Sequence, residues 1–234
     1  MKKKNIYFPN QLYFLRNTWS VQKPHKEEFV VQEEYVSGEE RNLTVLKTSR
    51  FFAGDGFTVY DCKGQLVFRV DSYGPDARDK DELVLMDPQG RCLLTVKRKR
   101  PSLHQRWEGF KGERIDGDKA LLSMKRTSLI GRSRASFIVE VYDKPGVEYH
   151  IEGCFSQRCC KIYNAAKKLM AEIRRKVDST TSVMLGKEVF SLCVKPGFDG
   201  ALAMGLVLFL DQINGENYFE SGTTESPVHP TTED

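Results

Sequence analysis

From Ala201 to Leu210 the chain contains no polar residue. The surrounding segment, Asp199 to Asn214, otherwise carries the marks of a helix: an Asp suited to capping its start and an Asn-Gly pair suited to ending it. A helix that is apolar all the way round must be buried all the way round, and one face of an open sheet would leave half of it in water. About 15 residues give roughly 20 Å at 1.5 Å per residue, close to the span of a six-residue strand. The pattern therefore predicts a barrel threaded by a central helix. An apolar run of about ten residues falls well short of the roughly 20 needed to cross a bilayer, so a core helix is expected and a transmembrane span is not.

The chain ahead of this helix reads as a series of short strands. Three turns share the form Asp-x-x-Gly, at Asp61 to Gly64, Asp87 to Gly90 and Asp143 to Gly146. Asp can bond the backbone two residues on, and Gly relieves the exit of the turn. FTVYD and QLVFRV flank the first turn, LVLM and CLLTVK the second, FIVEVY and VEYHIEG the third, all rich in β-branched and aromatic residues. LTVLKTS, ALLSMKRTS, VFSLCVK, WEGF and pieces around Cys160 and Ala171 bring the total to about ten to twelve strands. By propensity alone, Asn164 to Val177 reads as helix.

The 234 residues, 40% hydrophobic and 29% charged, fit one mainly β domain. We read residues 1–40 as a variable, partly disordered segment, 41–215 as the barrel domain and 216–234 as a disordered polar tail. With 36 Lys and Arg against 32 Asp and Glu, the net charge of +4 does not support nucleic-acid binding. The six Cys lack Cys-x-x-Cys spacing and read as free thiols in a reducing compartment, and no secretory leader is expected.

Several segments resemble the plant LURP-one-related family, whose fold is similar to the C-terminal domain of tubby proteins and to phospholipid scramblases. GDGFTVYDCKGQLVFRV is similar to the family's opening hairpin, and SLHQRWEGFKG, with His104, Arg106 and Trp107, to its signature. CKIYN followed by AEIRRK is similar to its late hairpin, and KPGFDGALAMGLVLFLDQIN to its C-terminal helix. The resemblance implies a tubby-like closed antiparallel β-barrel of about twelve strands enclosing a hydrophobic C-terminal α-helix. It also implies strand, turn and strand across Asn164 to Val177, against the helical propensity.

No chemistry of catalysis is legible. There is no Gly-x-Ser-x-Gly elbow, no phosphate-binding Gly-rich loop, no metal-ligand spacing and no calcium loop, so we expect no enzyme, no cofactor and no metal. Cys159 and Cys160 are adjacent strand residues on opposite faces and are read as structural. Alternation sets His104 and Arg106 on one face and the anchor Trp107 on the other, where it packs in the core.

The strongest charge cluster is Lys97 to Arg100. If Leu94 and Val96 point inward, Thr95, Lys97 and Lys99 point outward; an inward Met124 leaves Lys125 outward, and Arg132 and Arg134 extend the positive surface. Tubby domains bind phosphoinositides through exterior basic residues, so the resemblance implies a lipid-binding site at Lys97, Lys99, Lys125, Arg132 and Arg134. The expected function is a non-enzymatic, membrane-tethered regulator that is cytoplasmic, peripheral at the plasma membrane and nuclear, with anionic phospholipid head groups as partners. The alternative is a scaffold for protein partners in plant defence. Scramblase activity is not expected.

Overall fold

The computed structural model describes residues 30–47, 56–71, 82–99, 106–127, 135–178 and 180–221. Twelve strands follow one another: β1 (Arg41–Lys47), β2 (Phe57–Tyr60), β3 (Leu66–Asp71), β4 (Glu82–Met86), β5 (Cys92–Arg98) and β6 (Trp107–Lys111). They continue with β7 (Leu122–Arg126), β8 (Ala135–Val141), β9 (Glu148–Cys154), β10 (Cys159–Asn164), β11 (Leu169–Arg175) and β12 (Val189–Val194). Each strand pairs antiparallel with its sequence neighbours, and β12 returns to β1 with Leu43 opposite Leu192, which closes the barrel. Closure removes every free sheet edge.

Alternation decides what faces inward. Leu43 and Val45 on β1, Phe57 and Val59 on β2, Tyr149 and Ile151 on β9, and Cys160 and Ile162 on β10 are buried at every second position. The three Asp-x-x-Gly turns close hairpins with Gly64, Gly90 and Gly146 at φ +75°, +87° and +87°. In the first, Asp61 Oδ1 accepts from the Lys63 and Gln65 amides at 2.8 and 2.9 Å. Over Asn164 to Val177 the helical propensity loses. Ile162, Ala171 and Ile173 all face the core, and the intervening turn is held by Asn164 Oδ1 accepting from the Lys168 amide at 2.9 Å.

The helix α1 (Gly200–Ser221) fills the barrel, with every residue from Ala201 to Leu210 buried, and Gly205 is small enough to let the wall come in. A Cβ at Gly205 would fall 2.5 Å from Leu94 Cδ2 on β5. The Asn214-Gly215 pair does not stop the helix, which runs on to Ser221. An Asn-Gly pair ends a helix only where the chain turns into the left-handed region, and here it stays helical.

The start of the helix is tied to the chain's N-terminal side. Asp199, wholly buried, caps α1 as expected: its Oδ1 accepts from the Ala201 and Leu202 amides at 2.9 and 3.1 Å. Its Oδ2 accepts from the Val30, Val31 and Gln32 amides at 3.1, 2.7 and 3.0 Å. Residues 30–37 thus form a strap across this end of the barrel, ahead of the boundary at residue 41. Val30 and Val31 are buried in the same core, and the Tyr35 ring lies 4.8 Å from that of Phe68. At the opposite end, Lys47 Nζ bonds both oxygens of the nearly buried Asp211 at 2.8 Å.

Candidate functional site

In a closed antiparallel barrel all odd strands run the same way, so β5, β7 and β11 end at the rim where β1 ends and Lys47 meets Asp211. This rim and the wall beside it hold the basic residues singled out from the sequence. Lys97 and Lys99 point outward from β5, and Lys125 from β7, while Leu94, Val96 and Met124 are fully buried. Thr95 also has outward parity but is buried, because its hydroxyl donates to the Gly112 carbonyl at 2.8 Å as the chain folds over it.

Each of the three lysines is paired with a glutamate. Lys97 lies 3.4 Å from Glu82 on β4, Lys99 2.7 Å from Glu108 on β6, and Lys125 2.5 Å from Glu140 on β8. The register makes this possible, since Lys97 stands between Glu82 and Glu108, and Ser123 between Glu108 and Glu140. Outward parity alone does not show these pairs, because the partners lie 9 to 15 positions away in sequence. Beside these glutamates the side chains of Lys97, Lys99 and Lys125 remain 37%, 46% and 41% exposed. Arg114 also reaches Glu82 at 3.4 Å, but it is matched by Asp116 at 2.9 Å. Exposed pairs of this kind contribute about 0–1 kcal/mol each, so they order the lysines without removing them from reach of a ligand.

The signature residues divide as alternation requires. Trp107 is 1% exposed, and its Nε1 is a buried donor with no hydrogen-bond acceptor among the described residues. Arg106 turns to the outer wall, donating to Ser123 Oγ at 3.1 Å and to the Tyr142 hydroxyl, with Glu140 at 3.8 Å. The Tyr142 hydroxyl in turn donates to Ser123 Oγ at 2.9 Å, so Arg106 stitches β6 to β7 and β8. His104, Arg132 and Arg134 lie outside the described residues.

A second feature of the same rim was not legible in the sequence. Between β11 and β12 the chain makes an excursion in which Val177 bridges Met184. Val177, Val183 and Met184 are 49%, 60% and 50% exposed, three of the five large hydrophobic residues so exposed among the described residues. Asp178 Oδ1 holds the tip by accepting from the Thr180 and Thr181 amides at 2.9 and 2.8 Å, which keeps its carboxyl below the usual aspartate range. Arg174, Arg175 and Lys187 are exposed at the base. Val and Met in an otherwise polar loop give no periodic signal that would set them apart from core residues.

On the described residues, no group of three His, Cys, Asp or Glu could hold a metal ion, and no helix is long and apolar enough to cross a membrane.

The family description "LURP-one-related" matches residues 41–211. The Arabidopsis thaliana protein LURP-one-related 12 is 60% identical over 208 residues, covering 89% of this chain and 93% of that protein. LURP-one-related 5 of the same plant is 63% identical over 208 residues, covering 88% and 97%. An X-ray structure of another Arabidopsis thaliana protein shares the fold, with a TM-score of 0.59 at 23% identity, over 80% of this chain and 99% of that one. Twelve strands closed around a buried C-terminal helix, and a family match running from the first residue of β1 to the buried Asp211, together establish that the chain belongs to the LURP-one-related family.

Proposed function

We propose that this protein is a non-catalytic module that attaches peripherally to anionic, phosphoinositide-bearing membranes through the basic flank of β5–β8 and the adjoining rim. The observation that carries the reading is the group Lys97, Lys99 and Lys125 on that flank, whose side chains stay exposed while Glu82, Glu108 and Glu140 order them. The exposed Val177, Val183 and Met184 at the same rim support it, since apolar tips beside arginines suit the boundary between head groups and acyl chains. The non-catalytic reading is supported by α1, which takes up the space inside the strands and leaves the wall and rims for binding. Such attachment is reversible, at about 1 kcal/mol per basic residue near an anionic leaflet. It suits a cytoplasmic protein that partitions between the plasma membrane and the nucleus.

Sedimentation with phosphoinositide vesicles tests the reading. Replacing Lys97, Lys99 and Lys125 by Ala removes three exposed cations, and binding at low salt falls roughly a hundredfold. Glu108→Gln with Glu140→Gln relieves Lys99 and Lys125 of their carboxylates and strengthens binding. Physiological salt weakens both, because exposed charges are screened within about 8 Å. A wild-type chain that stays in the supernatant at both salts refutes membrane attachment and turns the flank into a candidate protein contact.

A further inference from the structure

The hairpin of β9 and β10 is closed by two cysteines. Cys154 and Cys159 are direct partners in the antiparallel register, on either side of the turn Phe155 to Arg158. Both side chains lie on the outer wall. On β9 the buried positions are Tyr149 and Ile151, which sets Cys154 with His150 and Glu152; on β10 they are Cys160 and Ile162, which sets Cys159 outward. Cys159 is exposed, Cys154 is half-buried, and both are free thiols.

The separation suits a bond. Directly opposed residues of an antiparallel pair have Cβ atoms about 4.5–5.5 Å apart. A disulfide requires about 3.5–4.5 Å between Cβ atoms, so a contraction of about 1 Å suffices. On the next rung a glycine lets the facing backbone lie where a side chain would otherwise point. Gly153, opposite Cys160, sits at φ +131°, and a Cβ there would lie 2.1 Å from the Cys159 carbonyl oxygen and 2.9 Å from Cys160 Cα. Only glycine permits that approach. Cys154 Sγ also lies 3.1 Å from Ser156 Oγ, a hydroxyl able to donate to a thiolate. Cys160 is not a rival partner, since it points into the core and burial pushes its thiol up to about 12.

We propose that Cys154 and Cys159 are a modification site for peroxide-class oxidants and form a reversible intrachain disulfide. The exposed Cys159 thiolate attacks the O–O bond of a hydroperoxide, giving a sulfenic acid and releasing the far oxygen as water or alcohol. Cys154 sulfur then displaces the sulfenic oxygen, which leaves as water, and the S–S bond forms. Two thiol hydrogens and two electrons pass from the protein to the peroxide. A glutathione-type thiol reverses the step by exchange. The bond staples the turn carrying Phe155 and Arg158, whose guanidinium stacks 4.3 Å from the ring centres of both Phe155 and Phe190 and donates to the Lys187 carbonyl at 2.8 Å. Oxidation therefore stiffens the barrel end where α1 leaves the core, independently of lipid binding.

The test is to treat the reduced full chain with hydrogen peroxide, block remaining thiols with an alkylating reagent and map the peptides by mass spectrometry. The expected product is a Cys154–Cys159 link lacking two hydrogens, lost again on incubation with reduced glutathione. In Cys154→Ser the same treatment leaves Cys159 as a sulfenic acid that a dimedone probe captures. Recovery of both cysteines alkylated in the peroxide-treated wild type overturns the proposal, as does a link from Cys159 to Cys160 or to a second chain. The wild-type map decides the matter even if a variant folds poorly.

Discussion

Asp199 is the residue on which two distant parts of the chain depend, and its removal gives the sharpest test of the fold. One oxygen caps α1 and the other holds the strap at Val30, Val31 and Gln32. Asp199→Ala loses the cap, about 1 kcal/mol. It also strands three strap amides, and releasing the strap to hydrate them forfeits the burial of Val30 and Val31, roughly 1.5–3 kcal/mol each. The smaller of those values, with the cap, gives about 4 kcal/mol, or a fall in Tm of roughly 8–16 °C for a domain of this size. Asp199→Asn is more informative. An amide has one acceptor, so it can serve the cap or the strap but not both, and its NH2 then faces the donors of the other. Hydrogen exchange on the Asn variant is expected to show one amide group, 30–32 or 201–202, still protected and the other fast. An Ala variant within about 1 kcal/mol of wild type in thermal and denaturant unfolding, or an Asn variant with both groups protected, would refute the reasoning.

Two further changes probe the core. Gly205→Ala improves helix propensity by about 1 kcal/mol, yet drives a methyl to 2.5 Å from Leu94 Cδ2, and overpacking of that kind costs typically 1–3 kcal/mol. The variant is expected to unfold at lower denaturant, and the double variant with Leu94→Val to recover part of the loss; equal or greater stability of the single variant would show that β5 yields. Lys47→Met leaves Asp211 charged in a nearly closed site and is expected to destabilise by about 3 kcal/mol, with most of that regained in Lys47→Met/Asp211→Leu. A single variant as stable as wild type in urea titration would show that water reaches Asp211 freely.

How much of this was legible in one dimension follows from the range of each interaction. Hairpin turns, strand alternation and the apolar run Ala201 to Leu210 are local or periodic, so they could be read directly, and the apolar run alone required an enclosure. The inward facing of Leu94, Val96 and Met124, and the outward facing of Lys97, Lys99 and Lys125, followed from parity, because a strand's period is two. Tertiary pairing decided the rest. Helical propensity over Asn164 to Val177 yielded to burial of Ala171 and Ile173 against the barrel interior, a term larger than the few tenths of a kcal/mol per residue by which propensities differ. The second role of the Asp199 carboxylate joins residues 167 to 169 positions apart. The glutamates that temper the basic flank, and the opposition of Cys154 to Cys159, are consequences of register. Composition and order along the chain thus specified a barrel around a helix, whereas which side chains meet on its wall was settled only when twelve strands closed and fixed the register between neighbours.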